Sequence, residues 1–429
     1  MATPLPVRVR IRMYQVGFGD CFLMTLEYDA AVRGRAERHL LFDLGSTSGP
    51  RSGPVKMGDV AKLIAEHTNG KLDAVVVTHR HRDHLLGFGD AVGAEILRKL
   101  APKLVLRPWT EDPALPTDAT SPTDGAMAAS RRFVAQLAAA QSAVERIAAQ
   151  PVPDRGALHA LRAAALEELP NQAAVAALDQ LAEGGRGRYL HAGKSLRLAS
   201  VVPGLRITVL GPPTVEQYPR VANQVSRDPE YWMLRLQRSL AEAAPSDQVP
   251  PQAGEVEPGQ VRWLVDHLAK HRTHSVARLV RALDDAMNNT SLILLLEVGE
   301  LTMLFTGDAQ IENWQYTLDK LDKDRDLRTK LATVDLYKVG HHGSRNATPR
   351  TLHALWKQRP ADAPPMTALM STRSGFHGKT PQTAVPRETL VNALKDVATL
   401  HSTDDLAKGT AYLEFVADTT GGPFQPVDE

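Results

Sequence analysis

Apolar and basic residues alternate from Val7 to Met13, with Val7, Val9 and Ile11 set against Arg8, Arg10 and Arg12. A period of two is that of a half-buried strand. The glycines of Val16-Gly17-Phe18-Gly19-Asp20-Cys21 predict a tight turn into a second apolar run, Phe22 to Leu26. Leu40-Leu41-Phe42-Asp43-Leu44-Gly45 and Leu72 to Val77 are almost continuously apolar, the pattern of strands buried on both faces. Asp59 to Glu66 has a helical pattern, and Lys103 to Pro108 is the next strand.

After Trp109 this rhythm breaks. Residues 110–125 are rich in Pro, Thr and Asp, and residues 126–183 are Ala-rich with a helical period interrupted at Pro151, Pro153 and Pro170. Strand-like text returns from Tyr189 to Leu210. A second interruption follows: Glu242 to Gly259 is rich in Pro, Ala and acid, and Gln260 to Met287 is a long helical pattern. From Asn288 the apolar segments come close together: Asn288 to Leu296, Leu301 to Phe305, Leu331 to Val339, Thr367 to Ser371 and Ala411 to Val416, with a helix at Leu390 to Leu394. The expected division is 1–109, 187–213 and 288–418 as one sandwich, with mainly helical insertions at 110–186 and 214–287 and a tail at 419–429.

Several of these strands end in residues that a core does not need. Leu72 to Val77 runs into Thr78-His79-Arg80-His81-Arg82-Asp83-His84. Imidazoles at i and i+2 on extended backbone point the same way, so His79 and His81 can grip one metal ion. Asp83 and His84 can reach a second ion beside it. Thr306-Gly307-Asp308 ends another strand, Gly340-His341-His342-Gly343-Ser344 a third, and Gly375-Phe376-His377-Gly378 follows a fourth. A metal site at one edge of a sheet sandwich requires such residues at the same edge. Asp20 and Asp43 read as turn residues near that edge, supporting the fold more than any catalytic role.

The His-x-His-x-Asp-His motif after a strand resembles the metallo-β-lactamase superfamily. Asn-Asn-x-Ser-Leu-Ile-Leu, Leu-Phe-Thr-Gly-Asp-Ala and Lys-Val-Gly-His-His-Gly-Ser then follow in an order similar to the branch typified by the metallo-β-lactamase-like domain of ComEC, the competence DNA-uptake protein. The resemblance covers roughly residues 7–109, 187–213 and 288–417, and neither insertion. It implies an α/β fold, an αββα sandwich, with two divalent metal ions, Zn or Mn. By the same resemblance His79 and His81 hold the first ion, Asp83 and His84 the second, and Asp308 bridges them. His377 is a further ligand in an altered motif. The histidine that many relatives place before the bridging aspartate has no evident counterpart. His159, His191, His267, His271 and His274 are candidates, and Asn289 is an alternative oxygen ligand.

The implied chemistry is hydrolysis by hydroxide generated at a di-metal site, with Asp83 or Asp308 orienting it and His341 or His342 donating a proton to the leaving oxygen. The branch favours a phosphodiesterase or nuclease. A small ester, lactone or thioester is the alternative substrate, and a metal-binding interaction module without catalysis is the third reading. Cations beside the motifs (Arg80, Arg82, Lys338, Arg345, Arg373 and Lys379) suit a phosphodiester, and Ser344 can hydrogen-bond one. As a helix, Gln260 to Met287 puts His267, His271, His274, Arg278 and Arg281 within a stripe about 80° wide. Arg278 and Arg281 would there guide a polyanion such as nucleic acid.

Composition narrows this only a little. The 429 residues are 43% hydrophobic, enough for a sizeable core. Lys and Arg number 50 against 49 Asp and Glu, so no global charge bias favours nucleic acid or membrane. The single cysteine, Cys21, excludes an internal disulfide framework and fits a reducing compartment. No signal-peptide core or membrane-length apolar run is evident, so the expectation is a cytoplasmic protein without a membrane partner. Oligomeric state is open, and the insertions could mediate self-association.

Overall fold

The structure is a computed structural model that describes residues 4–112, 171–214, 216–218, 287–378 and 384–427, apart from residues 52, 54, 345 and 347. The chain divides into two compact units. One comprises residues 1–112, 170–214 and 288–429, and the other residues 113–169 and 215–287. The expected insertion helices lie almost wholly outside the described residues.

The first unit contains two sheets. In chain order one sheet is built from β1 (Arg8–Tyr14), β2 (Phe22–Val32), β3 (Arg35–Phe42), β4 (Ala74–Val76), β5 (Leu104–Pro108), β6 (Gly187–Leu190), β14 (Tyr412–Asp418) and β15 (Gln425–Pro426). Its spatial order is β15-β14-β1-β2-β3-β4-β5-β6. The other contains β7 (Ser195–Arg197), β8 (Leu205–Gly211), β9 (Ile293–Val298), β10 (Leu301–Phe305), β11 (Leu336–Lys338), β12 (Met366–Met370) and β13 (Ala398–Ser402), ordered β13-β12-β11-β10-β9-β8-β7.

Three apolar clusters define the layers. Val9, Ile11 and Met13 of β1 and Leu40 and Phe42 of β3 pack with Leu294 and Leu296 of β9 and Met303 and Phe305 of β10, so the sheets meet face to face. On the far side of the first sheet, Leu23, Leu41 and Val75 pack with α1 (Met57–His67), α2 (Arg82–Gly89), α3 (Ala91–Leu100) and α4 (Gln172–Ala182). On the far side of the second, Leu295, Leu304 and Tyr337 pack with α5 (Ile311–Leu318), α6 (Arg325–Ala332), α7 (Arg350–Lys357) and α8 (Glu388–Lys395). The architecture is an αββα sandwich.

Local sequence explains this placement. The even positions of β1 carry arginines that the other face must satisfy: Arg10 pairs with Glu414 at 2.9 Å and also with Glu27, and Arg12 pairs with Glu414 at 2.6 Å. By contrast, β3 to β6 pair in parallel, as do β10 to β13. The inner ones, β4, β5, β11 and β12, are buried along their whole length, which explains their largely apolar text. Their carboxyl ends open at one edge, where α/β sheets place ligands.

Three expectations differ. Residues 419–429 are expected to be a tail, but Phe424 is buried in the inter-sheet core and Gln425 and Pro426 pair with β14. One aromatic among polar residues gives no periodic signal. The expected insertion boundary at 186 leaves out α4, whose Ala174 and Leu178 are fully buried against the first sheet's helices. Leu331 to Val339 is also not one strand: α6 ends at Ala332, and β11 takes only Leu336 to Lys338.

Candidate metal centre

His79 to His84 leave the carboxyl end of β4 and enter α2, with His81 at its N-cap. The neighbouring turns are held tightly against this bend. Asp20 donates its backbone N–H to the Asp83 carbonyl at 2.9 Å, and Leu44 donates to the His84 carbonyl at 2.9 Å. A Cβ on Gly45 would lie 2.3 Å from the Asp83 carbonyl carbon and 2.4 Å from the His84 nitrogen, so only glycine permits this approach. Asp20 and Asp43 are thereby carried to the centre.

From the second sheet, β10 delivers Asp308 after Gly307. Gly307 has φ +47°, and a Cβ there would lie 2.7 Å from Thr78 Cβ. The turn after β11 delivers His341 and His342, both at positive φ (44° and 49°). Two consecutive non-glycine residues in that region are strained, and such strain persists where the surroundings fix it. Here Asp308 Oδ1 accepts the His341 N–H at 3.0 Å, and His342 Nδ1 donates to the Ser371 carbonyl at 2.9 Å.

Donor atoms of Asp83, His84, Asp308 and His342 converge within 4.8 Å of one another. His84 Nε2 is 3.3 Å from Asp308 Oδ2 and 3.9 Å from Asp83 Oδ1. His342 Nε2 is 3.0 Å from Asp83 Oδ2 and 3.5 Å from Asp308 Oδ2. A tetrahedral ion with ligands at about 2.0–2.2 Å spaces its donors roughly 3.3–3.6 Å apart. The four groups therefore fit a divalent cation as they stand.

The hydrogen bonds behind the imidazoles point the same way. Thr78 Oγ1 donates to Asp43 Oδ2 at 2.7 Å, so it can only accept from ring nitrogens. His79 Nδ1 (3.2 Å) and His84 Nδ1 (3.3 Å) are the donors, and His84 Nδ1 also reaches Asp43 Oδ2 at 2.8 Å. With Nδ1 protonated in both, each Nε2 keeps a lone pair for the centre. A histidine ligand oriented by a carboxylate behind it is a recurrent metal-site arrangement.

Charge agrees with geometry. Burial opposes protonation of His84, but Asp308, Asp83 and Asp43 outweigh it and hold its pKa well above the ordinary imidazole value. Against the same burial penalty, Asp308, Asp83 and Asp20 raise His342. Burial favours neutral carboxyls, yet the imidazoles beside them keep Asp83 and Asp308 below the usual range. The cluster demands positive charge, which protons supply when no ion does. His79 and His81 differ: burial lowers both, His81 to about 4, and keeps them neutral. Their nitrogens, His79 Nε2 and His81 Nδ1, face each other at 3.0 Å.

The remaining predicted residues divide. His341 is outside the four-donor group, and Ser344 Oγ stands 2.8 Å from its Nδ1. His377 meets Phe18 edge-on at 4.5 Å, and the same Phe18 ring lies 4.3 Å from His342. It stands beside the cluster without joining a donor group of three. Lys338 departs from the expected substrate-facing cation. It is 2% exposed, pairs with Asp20, lies 3.8 Å from Asp308 Oδ1 and donates to the Gly307 carbonyl at 3.2 Å. A strand residue in the sheet interior must turn its charge onto buried carboxylates, not out to a ligand. Arg345, Lys379, Arg278 and Arg281 lie outside the described residues, as do His159, His267, His271 and His274. His191 turns Nδ1 to the Ala192 carbonyl at 2.9 Å.

Asp20 and Asp43 do more than the turn chemistry their sequence context implies. Each contributes to a second buried donor group with His84. Their signal was the Gly-Asp and Asp-Leu-Gly turns at strand ends, which tertiary packing converts into ligand support.

No protein-family model and no curated protein matches the chain. Among solved structures, it is similar to Igni18, described as a novel metallo hydrolase from the hyperthermophilic archaeon Ignicoccus hospitalis KIN4/I. The identity is 11% and the TM-score 0.37, covering 95% of this chain and 98% of that one. A likeness of that degree carries no weight for chemistry, which rests on the side chains above. Among the described residues, no helix is long and apolar enough to cross a membrane.

Proposed function

We propose that this chain is a metal-dependent hydrolase of the metallo-β-lactamase superfamily, acting on phosphodiesters. The observation that carries the reading is the convergence of half-buried Asp83 with buried His84, Asp308 and His342 where both sheets end. A divalent ion held there would supply Lewis acidity and lower the pKa of a bound water.

The chain's own residues supply the rest. Asp43 and the Ser371 carbonyl fix the tautomers of His84 and His342. Lys338 neutralises Asp20 and holds Asp308 from behind. His341 is the imidazole left over for proton transfer to the leaving oxygen, with Ser344 fixing its Nδ1. Phe18 and Phe376, whose rings lie 5.4 Å apart, form an apolar wall beside His342 and His377.

Hydrolysis of a small ester or lactone is the second reading, favoured by where the nearby cations go. Arg80 donates to Glu111 at 2.5 Å, Arg373 to the Gly49 carbonyl at 2.7 Å, and Lys338 is buried. The test is kcat/KM for bis-p-nitrophenyl phosphate, single-stranded DNA, RNA and a lactone panel, each with Zn²⁺ and with Mn²⁺. Faster lactone than phosphodiester cleavage reverses the order. Metal uptake without any turnover would leave a metal-binding interaction module.

A further inference from the structure

His79 to His81 lie between two regular elements: β4 ends at Val76, and α2 starts at Arg82. The bend they form sets where α2 begins, and with it the direction in which Asp83 and His84 project. His81 stands at the N-cap of that helix, and its carbonyl accepts the N–H groups of His84 and Leu85 at 3.0 Å each.

Arg80, the middle residue of the bend, reaches to the end of β5. Its Nε donates to Glu111 Oε1 at 2.5 Å. Glu111 closes the single helical turn Trp109–Glu111 that follows β5, and Trp109 Nε1 fixes that turn by donating to the Pro213 carbonyl at 3.2 Å. The other oxygen of Glu111 accepts from Arg107 at 2.9 Å, and Arg107 also donates to Asp179 of α4 at 2.5 Å. The side chains of Glu111 and Arg107 are each 2% exposed. Burial favours the neutral acid, but Arg80 and Arg107 outweigh it and hold Glu111 below its ordinary value.

Packing alone does not require this chain of charges. Desolvation offsets much of what a buried ion pair gains, and apolar side chains of similar volume are often as stable. What a charge-assisted hydrogen bond adds is a fixed direction between one donor and one acceptor. Here that direction is imposed on the residue between His79 and His81.

We propose that Glu111 is a positioning residue for the metal centre. Through Arg80 it sets the His79–His81 bend, and through the bend the start of α2 with Asp83 and His84. The inference rests on the metal-centre reading above. Arg107 holds the second oxygen of Glu111, so it belongs to the same network one step further from the bend.

The experiment compares wild type with Arg80→Met, Arg80→Lys, Arg107→Met and Glu111→Gln. Three quantities are read for each: Zn²⁺ affinity of the metal-stripped protein by competition with a chromophoric chelator, imidazole nitrogen NMR spectra of the metal-free protein, and Tm. Arg80→Met and Glu111→Gln are expected to weaken Zn²⁺ binding about tenfold or more and to move the His79 and His81 resonances. Arg80→Lys, which keeps a charged donor for Glu111, restores most of the affinity. Arg107→Met lowers Tm without a matching loss of affinity. Unchanged affinity and spectra in Arg80→Met overturn the proposal. So does affinity that falls in step with Tm in Arg80→Met and Arg107→Met alike, which would make the network structural support only. Should Arg80→Met fail to fold, Glu111→Gln against Arg107→Met decides by the same comparison. A wild type without any tight ion would defeat the metal-centre reading instead, and the imidazole spectra then decide the positioning role by themselves.

Discussion

Asp43→Asn isolates the orientation of one imidazole from everything else at the centre. Asp43 accepts from Thr78 N–H (2.8 Å), Thr78 Oγ1 (2.7 Å) and His84 Nδ1 (2.8 Å). Asparagine keeps one oxygen, which continues to serve the Thr78 N–H. The new Nδ2 then confronts two donors, the Thr78 hydroxyl and His84 Nδ1. The hydroxyl can rotate, but His84 can relieve the clash only by moving its proton to Nε2, which removes the lone pair aimed at Asp308 and Asp83. The backbone is no obstacle, because φ is 53° at Asp43 and asparagine tolerates the left-handed region well. Loss of such a supporting carboxylate costs about 10–100-fold in metal affinity, or about 1.4–2.8 kcal/mol. The assay is competition for Zn²⁺ against a chromophoric chelator at fixed pH, with thermal melts confirming the fold. Affinity in Asp43→Asn within twofold of wild type would refute the tautomer argument.

His342→Ala should lose metal and turnover together, whereas His341→Ala should keep metal and lose turnover; elemental analysis alongside kcat separates them, and equal metal loss in both would undo the division of roles. Ion binding near neutral pH should release protons, because the neighbouring carboxylates raise His84 and His342 in the ion-free protein; calorimetry in buffers of different ionisation enthalpy measures this, and affinity should rise with pH. The same raised groups stabilise the ion-free fold fully below an unfolded imidazole pKa of about 6.5, and that stability is lost as pH climbs through their folded values. His39 acts in the opposite sense: burial first, then Arg35, Arg12 and Arg38, lower it to about 3, so only the unfolded chain takes up that proton as pH falls from about 6.5. His39→Gln should flatten the acid side of a Tm–pH profile. Glu111→Ala should destabilise the fold by about 3–5 kcal/mol in denaturant unfolding, because Arg80 and Arg107 (2.9 Å) would lose the buried carboxylate they share.

The sequence by itself determined the strands, because parallel strands covered on both faces leave no freedom for polar residues and therefore print as apolar text. Ala74 to Val76, paired in parallel with both β3 and β5 and fully buried, is the example. It also marked the polar residues ending those strands as candidates for chemistry, of which Asp83, His84, Asp308 and His342 converge in the structure. His79, His81, Asp83, His84, Asp308 and His342 were all legible, since a burst of imidazoles after a buried strand has no packing purpose.

Tertiary structure alone decided who meets whom. Spacing grouped His79 and His81 on one side and Asp83 and His84 on the other, but His342 is 259 residues from Asp83 and only the facing sheets bring them to 3.0 Å. Adjacent His341 and His342 look equivalent in sequence, and two positive φ values send them to different partners. Asp20 and Asp43 read as turn formers until Gly45 lets their turns close onto α2. Lys338 and Arg80 read as outward cations until the sheet interior and Glu111 claim their charges. In each case the deciding quantity is the direction of one side chain relative to a distant segment, and no local pattern encodes that.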